Sequence, residues 1–142
     1  MENFTVATAE SCTGGLLASR LTDFSGASAY VKGGVVAYNN DIKKTVLRVK
    51  AETLEKFGAV SSQTALEMAT NVREIFKSTV GLSTTGVAGP LTSEGKPVGL
   101  VYVAIVGENF SEVKEFHFAG SRTEIKFQAA DEAFKLLAEH YF

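Results

Sequence analysis

Cysteine, histidine, proline and tryptophan are scarce or missing in this chain: one Cys, two His, two Pro and no Trp in 142 residues. A lone Cys12 cannot close an intramolecular disulfide, so a disulfide framework is excluded and a reducing compartment is expected. One cysteine with two well-separated histidines cannot supply a zinc-type ligand set from motif spacing, and no metal or cofactor is expected. No apolar run reaches the ~18 residues of a membrane span. The opening MENFTVATAES shows no basic region followed by a long apolar core, so no secretory signal is read there. A cytoplasmic protein without a membrane partner is the expectation. An excess of charge is absent as well: 14 Lys and Arg stand against 16 Asp and Glu, net −2. No global basic field points to nucleic acid.

The chain, 1–142, is read as a single domain, long enough to bury a core. Apolar residues make up 45% and charged residues 21%, a globular balance. In order, a short strand is predicted over Phe4–Thr8, then the turn Ala9–Gly15, then a helix from Leu16 to near Phe24. Strand, Gly-rich turn, helix is an arrangement that exposes backbone N–H groups to an anion, although glycines at a helix entry also serve close packing. Cys12 is expected to be a small buried hydrophobe rather than a nucleophile.

The stretch SGASAYVKGGVVAYNNDIKK, Ser25–Lys44, carries a predicted strand over Gly33–Tyr38. An Asn-Asn turn after it is able to cap a helix over Asp41–Val49. Ser28 precedes the strand, Tyr38 ends it and Lys43 follows it after the Asn-Asn turn. A serine can be activated by a neutral lysine, yet a polar loop, a strand-end aromatic and a surface lysine account for the spacing more simply. Further on, Ser61 or Ser62 is the expected N-cap of a long helix. Its stripe Ala65, Met68, Ala69, Val72, Ile75 and Phe76 is core.

Thr79–Thr84 is the next predicted strand, ending in the Gly-rich loop Thr84–Pro90. Gly89–Lys96 is not a phosphate-binding P-loop: five residues separate Gly89 from Gly95, and Pro97 stands where Ser or Thr is needed. Val98–Val106 reads as a strand buried on both faces, hairpinned to a more charged strand over Glu112–Phe118, on which His117 is structural or exposed. Gly120–Arg122 opens a last helix. Arg122 and Lys126 are four apart near its start, an anion clamp or a solvated face. The alternation predicts an α/β fold, a three-layer α/β/α sandwich around a mixed, mostly parallel sheet.

AESCTGG (Ala9–Gly15), GASAYVKGGVVAYNNDIK (Gly26–Lys43), GAVS (Gly58–Ser61), TTGVAGP (Thr84–Pro90), KPVGLVYVA (Lys96–Ala104) and GSR (Gly120–Arg122) follow one another here. In that order they closely resemble the family of the carboxy-terminal domain of the competence/damage-inducible protein CinA, which includes stand-alone nicotinamide-nucleotide amidohydrolases. The resemblance covers nearly the whole chain. It implies hydrolysis of the carboxamide of nicotinamide mononucleotide to nicotinate mononucleotide and ammonia by a Ser/Lys mechanism. Ser28 matches the nucleophile, Lys43 the lysine and Tyr38 a supporting tyrosine.

The same resemblance places Ser11 in the active site and Thr85 in a binding loop. Thr13, Gly14, Gly15, Gly86, Gly89, Arg122 and Lys126 are carried as substrate-binding candidates. It also implies a homo-oligomer, a dimer or higher. The alternative is a non-catalytic nucleotide- or partner-binding module of the same fold. Three departures from the family pattern stand out. Members usually have a helix before the first strand, where eight residues precede Ala9 here. They often carry an acidic residue at the position of Ser121 and an arginine at that of Lys126. Many have a longer loop than Leu91–Lys96. The chemistry requires Lys43 to lose its proton near neutral pH, against an ordinary value of about 10.4, so burial must lower it.

Overall fold

Residues 4–141 are described by the computed structural model of the chain. The first strand, β1 (Val6–Glu10), is buried at every position and is an inner strand of the sheet. Its neighbours explain that burial: the sheet order is β2-β1-β3-β4-β5, with β2 Val31–Val36, β3 Val80–Gly86, β4 Leu100–Val106 and β5 Ser111–His117. β1 pairs parallel with both β2 and β3, while β3–β4 and β4–β5 are antiparallel. The mixed sheet is thus half parallel by pairing, because β3–β4 and the late hairpin β4–β5 together contribute as many pairings as the two crossovers.

Helices cover both faces. α1 (Leu16–Leu21) and α5 (Arg122–Tyr141) lie on one, their Leu17, Leu21, Ile125, Ala129, Ala133 and Leu136 packed with Val6, Leu82 and Val103. α2 (Asn40–Thr45), α3 (Ala51–Phe57) and α4 (Ser62–Phe76) follow β2, and α4 covers the other face through Ala65, Met68, Ala69 and Val72. The helical stripe of the sequence is therefore core, Met68 included. α4 approaches β3 so closely that a β-carbon on Gly81 would lie 2.0 Å from the Ala69 carbonyl oxygen, so only glycine fits there.

The caps follow side-chain chemistry. Asn39 and Ser61 accept the N–H of Ile42 at 3.0 Å and of Thr64 at 3.1 Å and start α2 and α4. Ser121 and Glu124 exchange bonds at 3.2 and 2.8 Å at the entry to α5, a capping box. Most element ends lie within three residues of the sequence reading. β2 is displaced toward the N-terminus, starting at Val31 and ending at Val36, and α2 stops at Thr45, short of the predicted Val49.

An apolar groove of about 1230 Å³ runs between α1 and α5 at the N-terminal ends of the parallel strands, lined by Phe4, Leu21, Phe24, Tyr30, Phe134 and Leu137. Among the described residues no helix is long and apolar enough to cross a membrane, and no group of His, Cys, Asp and Glu is placed to hold a metal ion.

Candidate active site

The polar centre of the molecule lies at the carboxyl ends of β1, β2 and β3. The β1–β2 ladder closes with Ala37 N–H donating to the Glu10 carbonyl at 2.8 Å, which sets Ser11 beside Ala37. α2 then turns Lys43 back over both strand ends. Its Nζ lies 3.0 Å from Ser11 Oγ and donates to the Ala37 carbonyl at 2.8 Å. Lys43 is 2% exposed and Ser11 8%. None of the ion pairs among the described residues includes Lys43. Burial lowers its pKa from the ordinary 10.5, opposed in part by Cys12 and Glu94. A neutral amine reverses the bond, accepting the Ser11 proton instead of donating.

The structure does not bring Ser28 to this amine. Ser28 sits in a short 3-10 turn, Ala27–Ala29, exposed at the amino end of β2, whereas Lys43 lies beyond the carboxyl end of that strand. A strand of six residues holds them ~20 Å apart. The hydroxyl that the fold gives to Lys43 is that of Ser11.

Tyr38 stays at the mouth of the site, 60% exposed, where its hydroxyl accepts from Arg122. Arg122 also donates to the Gly89 carbonyl. Both partners are uncharged, and no ion pair among the described residues involves Arg122, so its positive charge remains available to an anion. The cavity is about 350 Å³ and is lined by Ser11, Lys43, Thr85, Gly86, Gly89 and Arg122, together with the loop residues Ala59, Val60, Leu91 and Glu94.

Thr13, Gly14, Gly15 and Lys126 are not among the residues that line it. The Thr13 hydroxyl donates to Glu10 Oε1 at 2.7 Å and meets Thr84 Oγ1 at 2.7 Å. Glu10, 1% exposed, also accepts the N–H groups of Leu17 at 2.7 Å and Ala18 at 3.0 Å. The first turn of α1 is therefore capped from within, and the expected anion site at the Gly-rich turn is taken by a carboxylate of the protein. What that network fixes is the loop carrying Ser11, whose own N–H donates to the Thr84 carbonyl at 3.0 Å. Lys126 Nζ would lie 3.8 Å from a β-carbon on Gly14, at the outer side of that loop. The Thr85 hydroxyl donates to the Ala59 carbonyl at 2.8 Å and so holds a wall of the cavity.

Cys12 is buried, and burial raises its thiol to about 12. It stays protonated and packs as a small apolar residue.

Sequence reading missed two things here. The Ser11–Lys43 pairing had a usable signal, since ligands in such sheets gather at the carboxyl ends of strands and Ser11, Lys43 and Thr85 all follow or end one. Glu94 had none: a Glu in a polar loop gives no sign of where it lands.

Residues 1–141 match the family model described as the CinA C-terminal domain. A CinA-like protein from Syntrophomonas wolfei is 48% identical over 136 residues, 95% of this chain and 33% of that protein. This chain therefore spans about a third of the length of the curated relatives it matches. Among solved structures, the competence/damage inducible protein CihA from Agrobacterium tumefaciens superposes with a TM-score of 0.93 at 43% identity, covering 96% of this chain and 85% of that one. A CinA superfamily protein from Escherichia coli does so with a TM-score of 0.93 at 33% identity, covering 96% and 80%.

Proposed function

Because the chain belongs to the CinA C-terminal domain family, we propose that it is an amidohydrolase with Ser11 as nucleophile and Lys43 as base. Its proposed substrate is the carboxamide of nicotinamide mononucleotide. The observation that carries the chemistry is the buried amine 3.0 Å from a hydroxyl, with no carboxylate ion-paired to it among the described residues. The substrate comes from the family resemblance. It is supported by an uncompensated guanidinium, Arg122, at the mouth of a cavity in the size range of small-molecule sites.

In the forward reaction the Ser11 oxygen attacks the carboxamide carbon while its proton passes to Lys43. The carbonyl π pair moves onto oxygen. The loops after β1 and β3 line the cavity through Ser11, Cys12 and Thr85 to Gly89, and backbone N–H groups of these loops are the donors proposed for that oxyanion. Collapse re-forms the carbonyl and breaks the C–N bond, and the proton on Lys43 goes to the departing nitrogen, which leaves as ammonia. Water then attacks the resulting ester, Lys43 taking its proton and returning it to the Ser11 oxygen. The acid released loses its proton to solvent. Tyr38 orients Arg122 for the substrate phosphate.

Ammonia release from nicotinamide mononucleotide by the purified protein tests this reading. Ser11→Ala and Lys43→Met are expected to abolish it with the fold intact. If both retain wild-type turnover, the chemistry is carried elsewhere.

A further inference from the structure

Among the described residues, Glu94 is the one carboxylate lining the cavity that holds Ser11 and Lys43. It sits in the strap 91–96 between β3 and β4, closed on itself by an isolated bridge between Ser93 and Lys96. Its carboxylate leaves the strap and reaches the turn between α3 and α4, accepting the N–H of Ala59 at 2.8 Å and of Val60 at 3.0 Å. Lys96 Nζ lies 3.4 Å from the same carboxylate and donates to the carbonyls of Phe57, at 2.7 Å, and Val60.

With Thr85 holding the Ala59 carbonyl, the turn is pinned from two directions. The fit is close: a β-carbon on Gly58, which has φ +83°, would stand 2.6 Å from Glu94 Oε1 and 2.9 Å from Lys96 Nζ. Glycine is needed there for both reasons. Ala59 and Val60, the residues so held, form part of the wall of the cavity that Ser11 and Lys43 also line.

We propose that Glu94 is a positioning residue for Lys43: it ties the strap to the turn at Ala59 and Val60, and so keeps that wall closed and water away from the amine. The inference rests on Lys43 being the base of the reaction above. Burial is the main influence on that amine, so a wall that opens lets its pKa climb back toward the ordinary value.

Charge alone acts in the opposite sense, since a carboxylate favours the protonated lysine. The groups that face Lys43 are Cys12, Tyr38, Glu94 and Arg122 across the cavity, with Glu10 beneath Cys12 and Lys96 behind Glu94; on its own helix Asp41 and Lys44 pair with each other at 3.8 Å. Burial stands well ahead of the Glu94 charge among the influences on the amine, which leaves the tether as the dominant effect.

The test compares Glu94→Ala and Glu94→Gln with wild type by following the Lys43 amine in an NMR titration of labelled lysine, assigned with Lys43→Met. No turnover is needed. Glu94→Ala is expected to raise the Lys43 midpoint by ~0.5 pH unit or more and to speed amide exchange at Ala59 and Val60. Glu94→Gln, whose amide oxygen still accepts from the turn, is expected to return at least half of both effects. An unmoved midpoint in Glu94→Ala, or a fall in both variants, overturns the proposal. Wild-type protein that releases no ammonia while the titration behaves as expected would sink the hydrolase reading and leave the positioning role standing.

Discussion

Lys43→Met removes the buried amine while keeping most of the bulk, and its consequence is thermodynamic before it is catalytic. In the fold the amine is 2% exposed, bonded to Ser11 Oγ and the Ala37 carbonyl, and burial holds its pKa below 10.5. In the unfolded chain it has the ordinary value. Between those two values the unfolded chain carries a proton that the folded one lacks. Stability therefore rises with pH across that window, by up to about 1.4 kcal/mol per pH unit, and is lost as pH falls toward the folded value. The methionine variant has no such proton.

At neutral pH the two effects of the substitution oppose each other. The stranded Ala37 carbonyl costs about 1–3 kcal/mol, while wild type bears the cost of dehydrating an amine. The variant is expected to be at most about 2 kcal/mol less stable at pH 7, and the difference is expected to widen as pH rises. Urea unfolding at half-unit steps from pH 7 to 10 measures both slopes. Parallel curves would mean that the amine titrates alike folded and unfolded. It would then be charged in the cavity, and the base assignment would fail.

Ser11→Ala is expected to lower ammonia release by about 1000-fold or more, while Ser28→Ala stays within about twofold because its hydroxyl lies in solvent at the other end of β2; the reverse ranking returns the nucleophile to Ser28. Arg122→Ala should raise KM for a phosphorylated nicotinamide substrate and leave that for the riboside nearly unchanged, and equal effects on both would remove the phosphate role. Glu10→Ala leaves the N–H groups of Leu17 and Ala18 without their acceptor and is expected to cost about 3 kcal/mol in urea unfolding; a loss under about 1 kcal/mol contradicts the capping account. The Cys12 thiol, raised to about 12, should resist alkylation at pH 8 until the chain unfolds, and rapid native labelling would show it exposed.

The fold was legible where one force dominates. β4 reads as an unbroken apolar run because both its faces are covered, and α4 reads as a stripe because only one of its faces is. Asn39 and Ser61 announce helix starts because their oxygens satisfy N–H groups that nothing else reaches. The proportion of parallel pairing was less legible. A hairpin is local and visible in its turn, but it adds antiparallel neighbours whose weight in a small sheet depends on how few crossovers there are.

The site was harder to read, because its contacts join residues that are remote in the chain. Ser11 and Lys43 are separated by 32 positions, and what brings them together is the parallel register that sets Glu10 against Val36. One residue past that last pair, Ser11 and Ala37 lie side by side, and a lysine returning on α2 spans both. Ser28 looked equally suitable as a hydroxyl, since it too flanks β2, but it flanks the wrong end. Parallel strands have a polarity that a list of spacings lacks: loops that follow strands meet at one edge of the sheet, and loops that precede them meet at the other. Ser11, Lys43 and the Thr85–Gly89 loop all follow or end strands, whereas Ser28 precedes one. A nucleophile at Ser28 within this subunit would have to act across the length of β2, which no rotamer of Lys43 can span.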